Sequence, residues 1–476
     1  MSLASSLTTH VNSLAISDVP LKPRTPAPKP NPVSVGAWSD AVDAYAGPRL
    51  SKRIIDVPDS HVTAEKLDAI FRTTYDGESN PGGLINLGIA ENSLLTQEYL
   101  EYYSRVLKDA LTPGDLTYGN QSSGSSRLHT AIADLWNENF SPLTPVKPDD
   151  IVTGPGATSV LDQLVAVFLD PGDAILIAAP HYNGFNVNMV ARSRSTIVSV
   201  PVPNEEAFSP TSLDYFETAI KEYAAKGVTT RAVMLCSPQN PYGRTYDKET
   251  LLAYALFAEK HDLHLISDEL YALSVYDNPN MPDAPPFISM LALDIEKETG
   301  KPFDSRRLHV VYSFSKDFGV NGFRVAAVIS QHNPLVLRAL LHTAFLMKVS
   351  SPADALLSYL LNDKPTFRKM VALNQARLAD SAAHVRDWFE KRGFKPFQSN
   401  AGHFMMVDGR DVFHFKNFEE ERAFAHKCID AGVVVGVGQS YHYAQPGWLR
   451  VTFSVHRPVL DLALQRLDEA LKSLKN

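Results

Sequence analysis

From about residue 85 the chain alternates short apolar runs with amphipathic helical stretches, and this alternation restricts its fold more than any other feature. Ile175-Leu-Ile-Ala-Ala179, Ala232-Val-Met-Leu-Cys236, Leu263-His-Leu-Ile-Ser267 and Leu308-His-Val-Val-Tyr312 have the length and continuity of buried strands. Helical spacing fills the intervals, as over Ser159 to Leu169 and Lys248 to His261. Strands separated by helices in this way build a mostly parallel sheet flanked by helices, an α/β architecture. Ligands of such sheets bind beyond the carboxyl ends of the strands. Several of the chain's polar motifs fall at those ends.

After about residue 350 the texture changes. A long helical stretch, Ala353 to Lys391, precedes short strands at Gly402 to Val407, Val433 to Val437 and Leu449 to Phe453, and a helix from Pro458 to Leu474 follows. The expected organisation is a proline-rich extension over 1–50, a segment over 51–84 contributing to the smaller domain and to dimer contacts, a large α/β domain over 85–345, and a smaller α+β domain over 346–476. Residues 19 to 34, VPLKPRTPAPKPNPVS, read as a surface arm or linker, because proline favours extended polyproline geometry over packing.

Composition narrows the function classes. A net charge of −8 with mixed signs argues against a nucleic-acid partner, which calls for a basic face. Two cysteines, Cys236 and Cys428, lie far apart without a CxxC pair, which fits a reducing compartment and no cysteine-built metal site. No apolar run approaches the ~20 residues that span a bilayer. The first twenty residues lack a charged region followed by a continuous apolar core, so the expectation is a cytosolic protein with no membrane partner.

Five motifs carry candidate chemistry. GPGAT (154–158) joins a strand to a helix; backbone N–H groups at Gly156, Ala157 and Thr158 suit either a phosphate cradle or a tight turn. CSPQNPYGRTY (236–246) places Asn240 just past a buried strand, in a turn. ISDELYA (266–272) ends an apolar strand in Asp268 and Glu269; a buried carboxylate there needs a cationic or hydrogen-bonding partner, and Tyr271 is a nearby donor. YSFSKDFGVNGFRVAAV (312–328) sets Lys316 between two runs that read as buried strands, Leu308 to Tyr312 and Phe323 to Ile329, costly unless the lysine points to water, is paired or is chemically used. Finally, Arg450 sits in a strand-like run near the C-terminus, where its rigid fork suits a carboxylate or a surface ion pair.

The order of these motifs resembles the fold-type I pyridoxal-phosphate enzymes of the class I/II aminotransferase superfamily, from roughly residue 50 onward. The resemblance implies that Lys316 forms the Schiff base with the cofactor aldehyde and then moves the substrate α-proton, giving an α-carbanion. It implies that Asp268 sits by the pyridine nitrogen, that Tyr271 and Asn240 hydrogen-bond the ring oxygen, and that Tyr182 of APHYNGF stacks on the ring. Ser313, Ser315, Arg324, Ala157 and Thr158 match phosphate-binding positions, and Arg450 matches the arginine that grips the carboxylate of an amino-acid substrate. LGIAENSL (87–94) is similar to the corresponding segment of 1-aminocyclopropane-1-carboxylate (ACC) synthases, bringing Ala90 and Glu91 to the substrate side chain. This branch, which includes fungal carbon–sulfur lyases, implies elimination or γ-chemistry at a sulfur-linked carbon, with transamination as the alternative. It also implies a homodimer with shared sites, to which the family contributes a tyrosine from the neighbouring subunit. In this chain that position falls on Ser122, with Tyr118 upstream as the other candidate.

Overall fold

The computed structural model describes residues 70, 73–119 and 122–474. These all fall within one compact unit, 66–476. The proline-rich stretch and the boundary drawn at residue 50 lie outside the described residues.

The first strand, β1 (Ile85–Asn86), stands apart from the main sheet. The next seven are β2 (Ile151–Gly154), β3 (Ala174–Ala179), β4 (Thr196–Pro201), β5 (Thr230–Cys236), β6 (His264–Asp268), β7 (Leu308–Ser313) and β8 (Ala326–Ile329). They form one sheet in the order β2-β8-β7-β6-β5-β3-β4. The pairs from β7 through β4 are parallel, and β8 runs against both its neighbours. Aliphatic runs suit these strands because helices cover both faces. Leu176, Val233, Leu265 and Val310 pack on one face, Ile175, Met234, Ile266 and Val311 on the other.

A second, antiparallel sheet follows: β9 (Lys395–Pro396), β10 (Phe404–Asp408), β11 (Val433–Val434), β12 (Gly436–Val437) and β13 (Trp448–Thr452), of which β12-β13-β10-β9 are joined in that order. The run read as a single strand over 433–437 is two pieces. β11 pairs with β1 in parallel, whereas β12 pairs with β13. This sheet has its own apolar core, with Leu378, Phe389, Val451 and Leu464 buried among the helices 364–390, 418–430 and 457–472.

Two further expectations need correcting. The helical stretch 353–391 is two helices, Ser351–Asn362 and Lys364–Glu390. Pro365 lacks an N–H and its ring clashes with the preceding turn, so it starts a helix and cannot continue one; Asp363 caps the new helix by accepting from Thr366 N–H at 3.3 Å. The strand read from Phe323 begins only at Ala326, because Asn321–Phe323 form a 3-10 turn and Arg324 takes a left-handed φ of 55°. Among the described residues no helix is long and apolar enough to cross a membrane.

Candidate active site

Strand direction assembles the site. β2, β5, β6 and β7 end on one edge of the sheet, and β8, running the other way, begins there. That edge therefore receives Gly156 after β2, Asn240 after β5, Asp268 and Tyr271 at β6, Ser313 to Lys316 after β7, and Arg324 before β8. The second sheet supplies Arg450 from β13, and the segment after β1 supplies Ala90 and Glu91.

Lys316 is half-buried, and its Nζ donates to the Ala90 carbonyl at 2.7 Å. Burial lowers its pKa to about 8; the Arg450 and Arg324 charges add to the depression, whereas Glu91 and Asp268 oppose it. The amine is thus partly free near neutrality, which a nucleophilic lysine requires. Lys316 does not point away into water.

Asp268 is 3% exposed, and burial pushes its pKa up to about 7. The Leu270 N–H at 3.3 Å and Cys236 Sγ at 3.8 Å are its donors, both long contacts. Tyr271 is not among them, contrary to expectation; its ring lies edge-on to His403 and Phe404. A buried carboxylate so weakly met is suited to a cationic partner. Glu269 turns away, accepting from Ser267 Oγ and Met290 N–H, each at 2.9 Å.

Arg450 is buried, at 2% exposure, and is no surface ion pair. It donates to Asn240 Oδ1 at 3.0 Å and to the Gly88 carbonyl, and its guanidinium lies 4.6 Å from the Phe404 ring and 4.7 Å from that of Tyr441. Among the described residues no carboxylate pairs with it and its Nε, itself buried, has no partner. A buried guanidinium of this kind suits a planar carboxylate.

The turn after β2 faces Arg324. Gly156 has φ +91° and opens the helix Ala157–Phe168, and a Cβ on it would collide with the Arg324 guanidinium. Arg324 donates to the carbonyls of Asn321 (3.0 Å) and Pro155 (3.2 Å). Ser313 Oγ lies 3.0 Å from Ser315 Oγ and donates to the Val325 carbonyl at 3.2 Å. Two hydroxyls, a guanidinium and a helix start are thus brought to this edge, groups that suit an anion. Tyr182 is half-buried close enough to Arg450 and Asp268 to feel both charges.

Tyr118 does not join this group. It is 84% exposed, 6.5 Å from the ring of Phe345, and its carbonyl accepts from Lys348 Nζ. Ser122 is half-buried on the loop before helix Ser126–Asn139. Cys236 and Tyr441, both in contact with site residues, were missed. The signal for Cys236 was available: β5 and β6 end together, and their register sets Cys236 beside Asp268.

A lysine of lowered pKa, a buried carboxylate and an arginine facing a helix start, gathered at the strand ends of an α/β sheet, suit an enzyme that anchors a cofactor through its lysine. The sequence model of aminotransferase class I and II matches residues 83–467, and the chain belongs to that family. It is therefore a pyridoxal-phosphate-dependent enzyme. A probable aminotransferase of Aspergillus oryzae is 34% identical over 90% of this chain and 99% of its own length. A 1-aminocyclopropane-1-carboxylate synthase of Cucurbita maxima is 31% identical over 84% of this chain and 81% of its own. Among solved structures, an aspartate aminotransferase of Thermus thermophilus shares the fold with a TM-score of 0.70 at 21% identity, covering 89% of this chain and all of that one.

Proposed function

We propose that the enzyme acts on an α-amino acid by elimination or γ-chemistry at a sulfur-linked carbon, as an ACC-synthase-like enzyme or a carbon–sulfur lyase. One observation carries this reading: Lys316 bonds to the Ala90 carbonyl, so the next residue, Glu91, holds its charge close to the reacting lysine. A carboxylate there favours a cationic leaving group such as a sulfonium. The likeness to ACC synthases over most of the chain supports it. Transamination is the second reading, favoured by the Aspergillus oryzae relative.

The residues present fit the cofactor. Gly156 leaves room for Arg324 to close the phosphate cradle with Ser313, Ser315 and the backbone of Ala157 and Thr158. Asp268 would meet the ring nitrogen, Tyr182 the ring face, Tyr271 and Asn240 the ring oxygen, and Lys316 the aldehyde carbon. When bound, pyridoxal phosphate supplies an electrophilic carbon for the amine and a sink for electrons. Arg450 would fix the substrate carboxylate through its guanidinium fork, beside Asn240. Lys316, released, takes the α-proton, and burial keeps enough of it neutral to do so. Asp268, once it has a cationic partner, stays ionised.

Our reading keeps a large domain ending near residue 345 and a smaller one after it. It includes a homodimer: Leu116, Tyr118, Phe345 and Leu346 are 85%, 84%, 62% and 80% exposed, an apolar surface that a second copy would cover. Both cysteines are free and buried, in keeping with a cytoplasmic setting.

Following nitrogen tests the chemistry. The loaded protein is offered nitrogen-labelled amino acids, S-adenosylmethionine and cysteine conjugates included, and mass spectrometry locates the label. Label freed as ammonia supports a lyase, and label kept in a new amino acid supports cyclisation or γ-substitution. Label moved to the cofactor and on to an added keto acid overturns the first reading in favour of the second.

A further inference from the structure

Behind Lys316 runs a buried polar chain with no part in the roles above. Asp317 is 2% exposed and accepts from Leu273 N–H (3.0 Å), Tyr312 Oη (2.7 Å) and Ser274 Oγ (2.6 Å). Burial raises its pKa to about 7, and these three donors pull the other way, favouring the carboxylate above neutrality. Because Ser274 gives its one proton to Asp317, its contact with His403 Nε2 at 3.0 Å must run the other way, the imidazole N–H donating. Burial, and then the Lys316 charge, depress the pKa of His403 to about 3, so the ring is neutral and its Nδ1 is bare. Nδ1 is buried and has no partner among the described residues. The ring meets Tyr271 edge-on at 5.2 Å and 83°. Phe404, the next residue, meets Tyr271 at 5.3 Å and 88°. Residues 403 and 404 thus grip one tyrosine, and only His403 is tied back to the segment that carries Lys316.

We propose that His403 is a positioning residue: Asp317 and Ser274 hold it as the Nε2–H imidazole, and it fixes the Tyr271 ring in register with Lys316. The inference rests on the reading of Lys316 and Tyr271 as cofactor residues. Were His403 only a space-filling side chain, a leucine of similar bulk would serve. The tie to Ser274 makes the N–H the part that matters. With Tyr271 unheld, its hydroxyl donates less to the cofactor's ring oxygen, and the proton on the lysine link is held more tightly.

The full chain is loaded with pyridoxal phosphate, and the absorbance of the lysine-bound cofactor is titrated with pH. Borohydride trapping and peptide mass spectrometry first place the cofactor; a site other than Lys316 overturns the cofactor reading and this proposal with it. With Lys316 confirmed, His403→Leu and Ser274→Ala should each raise the titration midpoint, by about threefold to tenfold in proton affinity. His403→Gln, which keeps an N–H within reach of Ser274, should stay near the parent value. Midpoints unmoved in Ser274→Ala, or in a folded His403→Leu, overturn the proposal. So does a shift in His403→Gln as large as in His403→Leu. Ser274→Ala, a deletion of one hydroxyl, keeps the test open if His403→Leu does not fold.

Discussion

Replacing Asp268 by asparagine should stabilise the cofactor-free protein and weaken the loaded one. Burial lifts this carboxyl from 3.8 to about 7, so the folded chain holds its proton more tightly than the unfolded chain does. A tenfold change in proton affinity is worth about 1.4 kcal/mol, which makes the cost of ionising Asp268 about 4 kcal/mol above pH 7. The sign follows from linkage: the contribution of Asp268 to stability is complete below pH 3.8 and is lost as pH rises towards 7. Asparagine keeps the Leu270 N–H contact and carries no charge. The gain of Asp268→Asn over the parent should therefore be about 2 kcal/mol at pH 5 and about 4 kcal/mol at pH 8. With an unfolding entropy of about 2.1 cal/mol/K per residue over roughly 400 residues, the pH 8 gain is about 5 °C in Tm. Scanning calorimetry of both cofactor-free proteins at the two pH values measures it. Added pyridoxal phosphate should then raise the Tm of the parent more than that of the variant, because only the carboxylate meets a cationic ring nitrogen. A gain equal at pH 5 and pH 8, or no gain at all, would refute the account of Asp268 as a buried charge awaiting a partner.

Lys316→Ala should leave no borohydride-trapped cofactor and no turnover while still binding pyridoxal phosphate through the cradle, read by dialysis and absorbance. In the parent, capture of the cofactor should quicken about tenfold per pH unit and level off above about 8, where the Lys316 amine is free. Arg450→Lys replaces a fork with a point charge, and losing one charge-assisted hydrogen bond should cost about 1.5–3 kcal/mol, or roughly ten- to a hundredfold in kcat/KM, with the cofactor spectrum unchanged. Gly156→Ala adds a Cβ against Arg324 at a left-handed φ, and should loosen pyridoxal phosphate at least tenfold by equilibrium titration.

The fold was legible where one physical signal dominated. Runs such as 175–179 and 232–236 are apolar on both faces because helices cover both, and they lie in β3 and β5. Residues that close the sheet edge were also legible, since motif and strand end coincide at Asp268 and Lys316. Other features act through geometry that residue type does not encode. Ala90 matters for its carbonyl, which any residue would supply. His403 is a polar residue in the bend before the apolar strand β10, and only the distance to Ser274 gives it a tautomer. Tyr118 lies close to the expected place in the sequence, but its ring stands in solvent within a single chain. The break at Pro365 was written in the sequence and overlooked because the apolar period continues across it.

The pairing of β1 with β11 bears on the order in which the protein can mature. Ile85 finds its partner in Val433, and Gly88 meets Arg450, so the ribosome must make most of the polypeptide between the two halves of this contact. Ala90 and Glu91 follow β1 directly. The wall beside Lys316 is therefore among the last parts to be finished, whatever the sheet has done by then. A nascent chain lacking the residues after β10 has strands β2 to β8 complete but not Arg450, the residue proposed to hold the substrate carboxylate. Completion of the proposed substrate wall therefore waits on the last strand of the second sheet.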